Sequence, residues 1–294
     1  GGTITLGANI EVTGPITISG QNITLDLNEK TITTSASGDI SLFSISNGAT
    51  VTVQNGTLMG TESNQSRCFL VEGNLCIEKV NIQGFKGQDG AAIYVKSGAC
   101  TMTSGEISGN GELKSNNGGG VCVAGGSFIM NGGTISGNNA WYGGVYVNSG
   151  SFTMNNGTIS GNDPAWGGGV YMAGGSFTMN NGTISGHKVI GGGGVFVENG
   201  AFTMKGGTIS GNETGSGGGV QVNEGTFTMT GGSITENQAG NHGKGVSIGF
   251  GANFTLSGTA KITGNTGEGK GNLYIEGENR QAGRSIQYLG EGAE

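Results

Sequence analysis

Charge is what this sequence has least of. Only 11% of its 294 residues are Asp, Glu, Lys or Arg, against roughly a quarter in an ordinary globular chain. The Lys and Arg residues form no cluster and the net charge is −7, so the basic footprint of a nucleic-acid-binding protein is missing. No stretch reaches the roughly 18 apolar residues of a membrane-spanning helix. No charged-then-apolar leader is visible before Gly1-Gly2, which reads as a mature or trimmed start. His187 and His242 are the only histidines. A Ser/His/Asp triad would need one of them, and neither sits near a nucleophile motif. The four aspartates, Asp26, Asp39, Asp89 and Asp163, do not share a repeat position, so the facing carboxylates of a glycosidase are not evident. Arg67, Arg280 and Arg284 lack an acidic cluster beside them, which a calcium-dependent polysaccharide lyase would require. Cys68, Cys76, Cys100 and Cys122 are even in number, yet no two occupy the same position of neighbouring repeats. They read as small fillers and do not fix a redox compartment.

Glycine is abundant, with 66 residues against 2 prolines, and it is periodic. One unit runs Gly143-Gly144-Val145-Tyr146-Val147, Gly150-Ser151-Phe152-Thr153-Met154, Gly157-Thr158-Ile159-Ser160-Gly161-Asn162. Three short runs alternate apolar with polar, which is the strand period, and Gly or Asn separates them as turn residues able to take positive φ. The unit recurs about every 25 residues, as a stacked repeat does. Val121, Val145, Val170, Val195, Val220 and Val246 begin the first strand; Phe128, Phe152, Phe177, Phe202, Phe227 and Phe254 the second; Ile135, Ile159, Ile184, Ile209, Ile234 and Ile262 mark the third. Met130, Met154, Met179, Met204 and Met229 add a further column. The fold expected is all-β: a right-handed, single-stranded parallel β-helix (a solenoid) of about eleven coils with three short strands each, on the order of 50 Å long at ~4.8 Å per coil. It forms one domain over 1–294, with 1–15 as an N-terminal cap carrying Ile4, Leu6, Ile10 and Val12, 16–270 as stacked coils, and 271–294 as the last coil and C-terminal end.

Asn110, Asn138, Asn162, Asn212, Asn237 and Asn265 follow the third strand and can bond one another as an internal ladder. His187 interrupts that column and reads as an exposed turn substitution. Glu198 and Glu224 hold near-equivalent turn positions and read as solvated, a calcium site being the weaker alternative. Asp26 reads as an outward, solvated strand residue. The glycine runs lack the strand-to-helix context and the Lys-Ser/Thr of a phosphate loop. No cofactor and no metal is implied.

The Gly-Gly-Gly-Val-x-Val, Gly-Ser-Phe-Thr-Met and Gly-Gly-Thr-Ile-Ser-Gly-Asn runs resemble the β-helix repeats of bacterial surface and adhesin-like proteins, as does the opening segment from Asn22 to Ile32. The resemblance covers nearly the whole chain. It implies the pectate-lyase-like superfold and an extracellular or bacterial cell-surface location. The same architecture hosts polysaccharide lyases, glycoside hydrolases and phage tailspikes, so function must come from a site and not from the fold.

That site is sought on the outward positions. Tyr146, Tyr171 and Phe196 hold the middle of successive first strands, where alternation turns them away from the core as an exposed column. Trp141 and Trp166, the only tryptophans, stand four residues ahead of the strand valines, with Tyr142 beside one of them. Such a stripe suits a sugar ring or a protein surface. The alternative is a purely structural ladder, cross-strand stacking with a loop Trp folded over a Tyr. The leading expectation is a non-enzymatic scaffold binding a host or environmental glycan, or a protein, through Trp141, Tyr142, Tyr146, Trp166, Tyr171 and Phe196. The second is a carbohydrate-active enzyme on the same fold. The third is ice binding through outward rows such as Thr158-x-Ser160 and Thr183-x-Ser185, which Glu106 and Lys261 interrupt. Oligomeric state stays open.

Overall fold

The computed structural model describes residues 1–36, 38–63, 65–112, 117–276 and the backbone of the strand Ile286–Leu289. Among these, every regular element is a strand and every named strand pairing is parallel. One 11-stranded sheet collects the first strand of each coil, from Ile16–Ile18 to Leu273–Ile275. A 20-stranded sheet collects the second and third strands. The result is a parallel β-solenoid of about eleven coils, as the repeat implies. Arg280 and Arg284 lie outside the described residues.

Register is like on like, and this is what lets a glycine-rich chain build a core. Phe152 pairs with Phe177, Phe177 with Phe202 and Phe202 with Phe227. Their rings stack 4.6–4.8 Å apart and within 5° of parallel. The Met, Ile and Val columns are equally regular and fully buried. Cys100 takes the position of the Phe column, between Leu75 and Phe128. All four cysteines are free, and burial pushes the Cys68, Cys100 and Cys122 thiols well up, out of the reactive range.

The glycine runs that open each first strand have a steric cause. Gly143, Gly167, Gly192 and Gly217 take φ of 57°, 61°, 62° and 63°, a region that side chains with a Cβ enter at a cost. The last glycine of each run lies against the ladder: a Cβ on Gly144 would come within 2.6 Å of the Asn162 amide.

The ladder itself is buried. Asn138 Nδ2 donates to Asn162 Oδ1 at 2.9 Å and to the Ile107 carbonyl at 2.9 Å, and Asn162 Oδ1 also accepts from the Asn138 backbone N–H at 3.0 Å. Each amide thereby satisfies backbone groups at a tight interior corner. A second, solvent-exposed ladder runs along the corner after the second strand, with Asn180 donating to Asn155 and Asn155 to Asn131, both at 2.7 Å.

Asp26 is not simply solvated. Its carboxylate accepts from the Asn28 backbone N–H at 2.9 Å, from Gln54 at 3.1 Å and from Asn55 at 3.2 Å. These bonds hold its pKa below the usual carboxylate value, the Asn28 N–H most of all. It clamps a corner where Asn28, Glu29 and Asn55 have positive φ. At the N-terminal end, Gly2–Thr5 and Ile10–Glu11 lie in register on the first full coil. Leu6 and Val12 pack on the core, while Ile4 and Ile10 remain exposed.

Each coil also has a side that three strands do not describe. The stretch between the ladder residue and the next first strand pairs along the rod. Asn139–Tyr142 pairs with Asp163–Trp166, and Glu213–Ser216 with Gln238–His242. Single bridges link Asn117 to Tyr142, Trp166 to Gly191, Lys188 to Glu213, and His242 to Lys270. This fourth row of turns carries the candidate site.

Candidate functional site

The first strands place Tyr146, Tyr171 and Phe196 on three successive coils, in direct register. Tyr146 and Tyr171 stack at 5.6 Å and 14°, and Tyr171 and Phe196 at 5.0 Å and 11°. The column exists, but its expected exposure does not. Tyr171 is 8% exposed and Phe196 2%. Alternation turned them away from the core, and the fourth row then folded over them. Tyr142 lies 4.5 Å from Tyr171 and 6.1 Å from Tyr146, and Trp166 meets Phe196 edge-on at 5.9 Å. Burial pushes the Tyr146 and Tyr171 phenols up, with the nearby Glu198 carboxylate adding to the shift at Tyr171. These rings are uncharged, stacked supports.

What faces solvent is the covering layer. Trp141 is 41% exposed and Ile190 62%, with Tyr142 and Trp166 half-buried beside them. Trp141 meets Tyr142 edge-on at 6.4 Å. Trp166 lies on the backbone of Gly191, where an added Cβ would come 2.6 Å from its ring. The seat is kept open by the absence of a side chain. The six residues singled out in the sequence therefore divide by position: Trp141, Tyr142 and Trp166 form a ridge, Tyr146 is half-buried beneath it, and Tyr171 and Phe196 are its floor. Ile190 and Gly191 belong to the ridge as well. No sequence pattern marks them, because the fourth-row segments share no common motif.

One further correction concerns the ladder beside this row. His187 is not exposed; it is 1% exposed and fills the ladder position between Asn162 and Asn212. Burial pushes its imidazole down to about 4, against two backbone hydrogen bonds that pull the other way. Arg67 meets a single carboxylate and not an acidic cluster: Asp39 Oδ1 lies at 3.2 Å, and the guanidinium also donates to the Gln88 carbonyl at 2.7 Å and lies over the Tyr94 ring at 5.0 Å.

Nearby, a polar cavity of about 240 Å³ is lined by Gly38, Asp39, Gln65, Lys86, Gln88 and Glu112. Its lysine is occupied, with Glu112 at 3.3 Å and the Glu62 carbonyl at 3.1 Å. Glu198 and Glu224 sit on adjacent coils, joined through backbone, with Glu198 accepting from Asn223 at 3.0 Å. Among the described residues no group of three or more His, Cys, Asp or Glu could hold a metal ion. Nor do they include a helix long and apolar enough to cross a membrane.

The hydroxyl rows are in register: Thr153, Thr178, Thr203 and Thr228 on one face, Thr158, Thr183 and Thr208 on the next. Glu106 and Lys261 stand within the second row, opposite Thr134 and Ser233. Compared with known protein families, curated proteins and solved structures, the chain matches none.

Proposed function

We propose that the chain is a non-catalytic binding module: a rigid β-solenoid rod that displays an aromatic ridge to a glycan. The observation that carries this reading is the placement of both tryptophans. They lie on one row of turns on adjacent coils: Trp166, in register with Tyr142, meets Phe196 of the stacked floor, and Trp141 lies edge-on to Tyr142, which itself rests on Tyr171. Flat rings held rigidly at a surface lose little entropy on contact and offer an apolar face to the C–H side of a pyranose. Exposed apolar surface of this kind marks interaction sites. Of the acids around the ridge, Glu198 is engaged by Asn223 and Glu213 by Lys188 at 3.0 Å, and Asp163 stands in register with Asn139 and not with a second carboxylate. That suits display better than acid–base chemistry. The resemblance of the repeats to adhesin-like surface proteins supports a place outside the cell.

The test is a fluorescence titration with neutral and acidic soluble polysaccharides and mucin glycopeptides. Both tryptophans belong to the ridge, so intrinsic emission reports it alone. Binding should perturb emission, weaken at least tenfold in the Trp141→Ala/Trp166→Ala double variant (followed by pull-down), and release no reducing ends or unsaturated products. Product release would make the chain an enzyme. An unchanged affinity in the double variant would remove the ridge from the binding reaction.

A further inference from the structure

The ladder that runs behind the ridge contains one titratable group. Between Asn110 and Asn265 the interior ladder is built of asparagine except at His187. The Asn162 backbone N–H donates to His187 Nδ1 at 3.2 Å, and Nε2 lies 3.2 Å from the Ile159 carbonyl oxygen. A carbonyl can only accept, so Nε2 carries the proton and Nδ1 is bare. The His187 backbone N–H donates to Asn212 Oδ1 at 3.1 Å. The ring thus copies one amide: Nδ1 stands for Oδ1 and Nε2–H for Nδ2–H. Unlike an amide, it can take a second proton, and that proton would sit on Nδ1, against the Asn162 N–H at 3.2 Å and beside the Asn162 carbonyl oxygen at 3.3 Å, so that the Asn162 N–H loses its acceptor.

No acidic side chain faces the ring to balance the charge; burial opposes the added proton, and the Asn162 and Ile159 carbonyls, at 3.3 and 3.2 Å, favour it. The strands Thr158–Ser160 and Thr183–Ser185 packed against it contain no ionisable side chain. On the three neighbouring turns the charged residues are Asp163, Lys188 and Glu213. Asp163 and Lys188 are exposed, and Lys188 pairs with Glu213 at 3.0 Å on the solvent side. The turn that follows His187 carries Ile190 and Gly191, the ridge's most exposed residue and the seat of Trp166.

We propose that His187 is a proton switch for the ridge: a proton on its ring expels it from the ladder, lifts the turn that follows, and removes the seat of Trp166. The switch rests on the reading of the ridge as the binding surface, since only then does its opening control a ligand. It would let the rod hold its partner near neutral pH and let go in acid. The direction follows from linkage. The imidazole is held down to about 4 in place, against an ordinary value of 6.5. The open form therefore binds the proton more readily, and between those two values its share rises roughly tenfold for each unit of acidification.

The experiment uses the full chain with Trp141→Phe, leaving Trp166 as sole reporter. Emission maximum and acrylamide quenching are followed from about pH 7.5 to about pH 4 beside far-UV circular dichroism, in this background and with His187→Asn added. The expected result is a red shift and a several-fold rise in quenching below about pH 5.5, with the β signal retained, and a flat response with His187→Asn. The variant restores the residue used by neighbouring coils, so it should fold. A flat response with His187 present, the same transition with Asn, or loss of the β signal together with the emission change would overturn the switch. The readout requires no ligand, so a ridge that binds nothing would show in the titration at neutral pH and not here.

Discussion

Replacing Asn237 by alanine would remove one rung of the interior ladder, and the cost can be worked bond by bond. Asn237 Oδ1 accepts from the Asn212 backbone N–H at 3.1 Å and from Asn212 Nδ2 at 2.8 Å. Its Nδ2 donates to the Ile209 and Thr235 carbonyls and to Asn265 Oδ1, each at 2.9 Å. Asn237 is 0% exposed, so water does not readily replace these partners. The Asn212 backbone N–H and the Ile209 carbonyl lose this partner, while Asn212 Nδ2 keeps the Ile184 carbonyl at 3.3 Å; each orphaned group costs about 1–3 kcal/mol. The expected loss is about 2–6 kcal/mol, reduced if the corner opens to admit a water. Asn155→Ala is the internal control. It deletes two amide–amide bonds, both at 2.7 Å, in the exposed outer ladder, and should cost no more than about 0.5 kcal/mol. Urea unfolding followed by circular dichroism compares the two, reading the midpoint at constant slope. Equal losses for the two variants would refute the claim that burial, and not the bond itself, gives the interior ladder its weight.

Other outcomes follow from the same packing. Phe177→Ala opens a cavity between rings at 4.6 and 4.8 Å and should cost about 3–5 kcal/mol by the same unfolding assay, with Phe177→Leu well below that. Acid should weaken the wild-type rod through His187. Its folded pKa of about 4 lies below its ordinary 6.5, so its contribution is complete above pH 6.5 and is lost as pH falls towards 4, about 3 kcal/mol in all. Unfolding midpoints measured across that window should converge for wild type and His187→Asn at neutral pH and separate in acid. A thiol reagent at mildly alkaline pH should label Cys76 at most in the native chain and all four cysteines in denaturant, since Cys68, Cys100 and Cys122 are buried. Gly191→Ala should displace Trp166, whose ring lies 2.6 Å from the added carbon, shifting its emission with little change in stability.

The columns were legible in the sequence because each repeats one residue type at nearly constant spacing, and stacking puts like on like. Phe177 between Phe152 and Phe202 is found where the period places it. The fourth row was not legible. Asn139–Tyr142, Asp163–Trp166, Glu213–Ser216 and Gln238–His242 share no pattern, since their pairing is made by backbone and asks little of the side chains. Period-two alternation says which residues turn from the core, not what then covers them, so the burial of Tyr171 and Phe196 could not be read from it. His187 was misjudged for a related reason. Its type suggested an exposed turn, while its position demanded one acceptor and one donor at the geometry of an amide, which a neutral imidazole supplies.

The most direct measurement is hydroxyl-radical footprinting of the full chain, free and saturated with whichever polysaccharide or glycopeptide binds it. Protection should fall on Trp141, Trp166 and Ile190, with little change at the buried Tyr171 and Phe196 or on the hydroxyl rows. Protection centred on the Thr153 to Thr228 row or on the cavity between Asp39 and Glu112, with the tryptophans still fully reactive, would contradict the assignment of the ridge as the binding surface.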